Sequence, residues 1–133
     1  MNRVFVDANI IIDVVNATRS NHKNSLKKVS SLLSNNHRLF TSCDIFTTVY
    51  YVASKSVDCD LLIKALDSML EVMEIIPIDS AIIKKALHIC SSEKNSNFED
   101  VLQYVCAKTF DCDLILTNDH DFYSPDIRLM GCE

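Results

Sequence analysis

Arg3-Val4-Phe5-Val6-Asp7 is a short apolar strand that runs straight into a carboxylate. An acid closing an apolar strand is costly to hold there unless it has a role. The arrangement returns far along the chain. Residues 113–116 read as a compact apolar strand ending at Thr117, and Asp119 follows two residues later. In open parallel sheets, ligands bind in the crevice outside the carboxyl ends of the strands. If both strands belong to one such sheet, Asp7 and Asp119 arrive at the same edge from opposite ends of the sequence.

The residues between them support a sheet of that kind. Residues 21–35 read as a helix with Leu26, Val29 and Leu33 on one face. Residues 38–41 read as a short strand, and 44–55 and 60–73 as two helices. The second of these helices turns Leu62, Leu66, Met69 and Leu70 inward. Residues 74–78 form a β-branched run interrupted by Pro77, hence a short edge-like strand. Residues 80–90 read as a helix with Ile83, Ala86, Leu87 and Cys90 toward the core, and 91–97 as a polar loop. Asn97 offers an N-cap for a helix over 98–110, and 127–130 read as a last strand. Short apolar strands alternating with helices predict an α/β sandwich around a mainly parallel sheet.

The 133 residues suit one domain, 1–133, and nearly half of them are apolar. One glycine and two prolines argue against a many-turned β-sandwich and against disorder. Asp7 and Asp13 interrupt the apolar start, so it reads as neither a secretory segment nor a membrane span. The six cysteines form no C-x-x-C pair and are expected as reduced thiols of a cytoplasmic protein. The net charge of −5 repels phosphate overall, so a polyanion needs a local basic patch.

Asp100 falls in the first turn of the helix over 98–110, and Asp121 lies two residues beyond Asp119. Carboxylates gathered in one place repel one another, and partly buried ones have raised pKa values. A divalent cation removes that conflict. Oxygen-only ligands suit a hard ion, so Asp7, Asp100, Asp119 and Asp121 are candidate ligands for Mg²⁺ or Mn²⁺. Such an ion binds and polarises phosphate and activates water. Taken singly, Asp100 also suits the positive end of its helix dipole, and Asp119 and Asp121 suit a turn. Asp13 reads as a solvated face residue.

These motifs resemble the PIN domain. VDANIIID (Val6 to Asp13), FEDVLQYVCAK (Phe98 to Lys108) and LILTNDHDF (Leu114 to Phe122) follow in that family's order and spacing, over residues 2–130. The resemblance implies a three-layer α/β/α sandwich and a Mg²⁺- or Mn²⁺-dependent ribonuclease with Asp7, Asp100 and Asp119 as catalytic acids. Asn9 and Thr117 match polar residues that support the site. Small members are often VapC-like toxins of toxin–antitoxin pairs, commonly homodimers held inactive by an antitoxin. The sequence departs from the family at Thr48. Many members carry a glutamate there, and a threonine hydroxyl binds metal weakly and brings no charge.

Arg19, Lys23 and Lys27 are spaced by four and would form a basic stripe for RNA, with Lys28 beside it. His120 reads as an exposed loop histidine. Tyr50 and Tyr51 read as core or interface residues, and with Leu61 they would suit a dimer. Two rivals remain at this point. One is a non-catalytic PIN-like binding module, which Thr48 favours. The other is a phosphoacceptor domain, which the single acid after the first strand and the missing late lysine disfavour.

Overall fold

The computed structural model describes residues 2–132. Its strands are β1 (Arg3–Val6), β2 (Arg38–Ser42), β3 (Met73–Ile76), β4 (Leu114–Leu116) and β5 (Arg128–Met130). Its helices are α1 (Ala8–Val15), α2 (His22–Ser34), α3 (Ile45–Ala53), α4 (Cys59–Val72), α5 (Ser80–Ser92) and α6 (Phe98–Thr109). The strands form one sheet in the order β3-β2-β1-β4-β5, and every neighbouring pair is parallel. The mainly parallel sheet expected from sequence is thus wholly parallel.

The layering follows from handedness. Parallel crossovers are right-handed. The chain steps from β1 to β2 to β3 in one direction, so α1 to α4 cover one face. It then steps back across β1 to β4, so α5 and α6 cover the other. The packing agrees, with α1 against α2 and α3, α3 against α4, and α5 paired with α6. Strands covered on both faces need continuous apolar residues. Val4, Phe5, Val6, Leu39, Phe40, Leu114, Ile115 and Leu116 are all buried.

Several local readings need correction. The sequence names no element between Asp7 and Asn21, yet α1 forms there. Asp7 caps it by accepting from the Ala8 N–H at 2.7 Å, and Ile10, Ile11 and Ile12 are buried along it. An eight-residue run rich in Ile carries no helical period for the eye to find. On α2 the buried stripe is Ser25, Val29 and Leu32, while Leu26 faces solvent. Leu70 on α4 and Ile83 and Leu87 on α5 are also exposed, and Ile82 takes the core position beside Ala86. A rotation of one residue separates each expectation from the fold, because these amphipathic helices carry more apolar residues than one stripe needs. β3 ends at Ile76, before Pro77, and sits at the sheet edge as its proline suggested.

Candidate active site

The crossovers diverge between β1 and β4, and that is where an open α/β sheet leaves a crevice at its carboxyl edge. Asp7 sits there, only 4% exposed. Its backbone N–H donates to the Leu116 carbonyl at 3.0 Å, which fixes it to the end of β4. Its carboxylate accepts from the Ala8 N–H and from the Thr117 hydroxyl at 2.8 Å. Burial nevertheless pushes the carboxyl up to about 6, with help from the charges of Asp119 and Glu99 and against those two hydrogen bonds.

Thr117 joins the two strand ends chemically. While donating to Asp7, its hydroxyl accepts from the Asp119 N–H at 3.0 Å. Asp119 in turn accepts from the Asp121 N–H at 2.9 Å, a tight turn that presents both acids beyond β4. Asp100 arrives from the other helical layer. Asn97 caps α6 by accepting from the Asp100 N–H at 3.2 Å, which holds Asp100 in the first turn. Burial raises the Asp100 carboxyl to about 6, followed by the charges of Asp7, Asp119 and Glu99. Asp100, Asp119 and Asp121 line one cleft of about 480 Å³, together with Lys94, Asn97 and Tyr123.

The three acids singled out in the sequence therefore share one electrostatic neighbourhood. Among the described residues, no three acidic, His or Cys side chains already close into a metal-holding group. The donor chemistry nonetheless fits a hard cation. All the donors are carboxylate oxygens, and the partly buried acids raise one another's pKa with no basic side chain among the causes.

Glu99 is an acid that sequence reasoning passed over. Its side chain is exposed, yet its charge reaches both Asp7 and Asp100. The signal was its place beside Asp100 in the same first helical turn. Lys94 was also passed over, because a lysine in a polar loop reads as solvated until the loop is seen to wall the acid cleft. Thr48 lies half-buried on α3, with its hydroxyl turned to the Asp44 carbonyl at 3.5 Å. Asn9 is exposed on the first turn of α1. Thr117 is 4% exposed and makes the link described above.

Two readings change. Asp13 is buried rather than solvated. Its carboxylate accepts from Arg19 Nε at 3.0 Å and from the Ser25 hydroxyl at 2.9 Å, and its carbonyl bonds the His22 ring at 2.7 Å. Arg19 consequently turns inward to α1 and precedes α2, so it does not continue the helical stripe of Lys23 and Lys27. Those two lysines are exposed and Lys28 is half-buried. His120 is exposed, as are Tyr50, Tyr51 and Leu61. Cys43, Cys59, Cys90, Cys106 and Cys112 are free thiols, and burial pushes Cys106 and Cys112 up to about 12, where they are inert. Among the described residues, no helix is long and apolar enough to cross a membrane.

Comparison with known proteins places this geometry. The model of a family described as PIN domain matches residues 4–127. Ribonuclease VapC1 of Aquifex aeolicus is 44% identical over 132 residues, covering 98% of this chain and 91% of the relative. The sarcin-ricin loop cleaving toxin VapC20 of Mycobacterium tuberculosis superposes with a TM-score of 0.73 at 15% identity, over 90% of this chain and 92% of that one. VapBC2 of Rickettsia felis, solved with a DNA fragment from its promoter, gives 0.69 at 21% identity, over 97% and 98%. At such low identities the two solved structures speak for the fold.

Proposed function

Because the chain belongs to the PIN domain family, we propose that it is a metal-dependent ribonuclease, hydrolysing RNA phosphodiester bonds as the toxin of a type II toxin–antitoxin pair. The observation that carries this reading is Asp7. A buried carboxylate is held at the sheet's switch point by a hydroxyl and an N–H, and its charge interacts with those of Asp100 and Asp119. The 44% identity to a ribonuclease across nearly the whole chain supports the same reading.

Asp7, Asp100 and Asp119 would hold Mg²⁺ or Mn²⁺, with Asp121 beside them. When bound, the ion polarises the phosphate and makes a water acidic enough to attack it near neutral pH. The protein's own residues supply orientation. Thr117 fixes the face that Asp7 presents and sets the start of the Asp119 turn, as supporting hydrogen bonds do around metal ligands. Asn9, in the first turn of α1 that Asp7 caps, would orient water beside the acids. Lys94 brings the cleft a positive charge for a phosphate oxygen, and Tyr123 a ring edge for a base. The antitoxin would keep this cleft closed. The apolar α3–α4 surface with Tyr50, Tyr51 and Leu61 suits a homodimer, and the work of such a toxin is cytoplasmic.

Thr48 favours a second reading, a PIN-like module that binds RNA or protein without cutting, since it brings no charge where many family members carry a glutamate. Incubating the chain with single-stranded RNA in Mg²⁺, Mn²⁺ or EDTA, beside Asp7→Asn, separates the two. The nuclease reading expects metal-dependent cleavage that the variant lacks. RNA left intact under every metal condition supports the binding module.

A further inference from the structure

Residues 14–43 contain no Asp or Glu, yet they carry Arg19, Lys23, Lys27, Lys28 and Arg38. In a chain of net charge −5, this leaves the rest of the molecule strongly acidic. Two of the five already pair with a carboxylate, Arg19 with buried Asp13 and Arg38 with exposed Glu74. Lys23, Lys27 and Lys28 have no acidic partner within 4.0 Å among the described residues. A solvated helix usually mixes both signs of charge. α2 has cations alone.

α2 also has a cleft of about 270 Å³, walled by Asn24, Lys27, Lys28 and Ser31 and by Cys132 from beyond β5. These four α2 positions follow the helical repeat and lie on one face, opposite buried Val29. The cleft touches the carboxyl edge of the sheet. The Cys132 N–H donates to Asn118 Oδ1 at 2.9 Å, and Asn118 precedes Asp119 in the turn that presents the acids.

We infer that this cleft is a second, metal-independent subsite that holds a backbone phosphate of the RNA flanking the point of cleavage. The inference rests on RNA as the substrate and adds where the chain is gripped. Acids that bind a cation repel every phosphate except the one the cation holds. An RNA strand crossing this edge therefore needs its other phosphates neutralised elsewhere. Two ammonium groups flanked by an amide and a hydroxyl match phosphate oxygens in charge and in hydrogen-bonding sense. An acidic protein segment would need aromatic or aliphatic anchors as well, and the α2 walls of this cleft offer none.

The test uses the full chain in EDTA and a fluorescein-labelled oligouridylate, with anisotropy read across a salt series. Removing one phosphate contact from a single strand lowers the slope of log affinity against log salt by about 0.7. Lys27→Gln with Lys28→Gln is expected to produce that change and to weaken binding about tenfold near 0.1 M salt. Lys64→Gln with Lys84→Gln alters net charge equally on α4 and α5 and is expected to change neither quantity. If the α2 pair and the α4–α5 pair weaken binding alike, the effect is net charge and the subsite is refuted. Unchanged affinity and slope in the α2 pair also refute it, as does loss of binding to polyglutamate with RNA binding intact. The assay contains no metal, so wild type that binds RNA through α2 but never cleaves it upholds the subsite while the nuclease reading fails.

Discussion

Asp7 and Asp13 lie at the two ends of one short helix, both almost wholly buried, and the fold treats them oppositely. The Asp13 carboxylate is given an arginine and a serine hydroxyl from the following segment, and its backbone carbonyl a histidine. Asp7 is given one hydroxyl and one N–H, with other carboxylates as neighbours. A buried carboxylate used as a structural tie brings its own cation. Asp7 is left without one at the sheet's open edge, which is what a site for an external cation requires. The difference teaches that burial alone does not mark a functional acid. What marks it is burial without internal compensation.

That contrast breaks most visibly in activity. Asp7→Asn is expected to lower RNA cleavage at least about a hundredfold, the scale on which a single preorganised electrostatic group acts. Asp13→Asn is expected to leave the rate per folded molecule within a few-fold, and parallel cleavage assays corrected for folded fraction check both. Next comes Thr117→Val, which frees the Asp7 carboxylate and the Asp119 turn together. It is expected to weaken Mn²⁺ binding by about 10- to 100-fold, read by calorimetric titration.

Stability should move in the opposite sense to activity. In EDTA at pH 7, Asp7→Asn removes a charge that folding disfavours, while the amide oxygen still caps α1 and the amide N–H₂ turns a donor toward the Thr117 oxygen. A stabilisation of about 1–3 kcal/mol is expected in denaturant titrations. Asp13→Asn leaves Arg19 without its counter-charge and is expected to cost about 1–3 kcal/mol, Arg19 being partly solvated. Equal destabilisation by both changes would abolish the distinction.

The smallest effect is in pH. The Asp7 carboxyl titrates near 6 in the folded chain and near 3.8 unfolded. The folded state therefore holds the proton more tightly across that window. Asp7 favours folding below pH 4 and loses that advantage as pH rises through 6. In EDTA, stability should fall more steeply from pH 4 to 6 in wild type than in Asp7→Asn, a difference of about 1–3 kcal/mol at most. Identical pH profiles would contradict the raised pKa.

Much of this was legible in the sequence. Apolar triplets ending in acids betrayed strands whose carboxyl ends meet, and the capping Asn97 fixed where Asp100 would lie. The partners of those acids were hidden. Whether Asp13 meets solvent or Arg19 depends on how the chain turns between α1 and α2, which no periodicity reports. Ser25 occupies a buried position where Leu26 was expected because Asp13 needs a donor there. Glu99 and Lys94 carry no pattern of their own and gain meaning only once the loop before α6 is folded against the β4 turn.

The central claim is best tested by melting the chelated protein at pH 7 while Mn²⁺ is added. The account predicts a melting temperature that climbs by several degrees and saturates in wild type and in Asp13→Asn, but stays flat in Asp7→Asn. A wild-type melting temperature indifferent to Mn²⁺ and Mg²⁺ would contradict it.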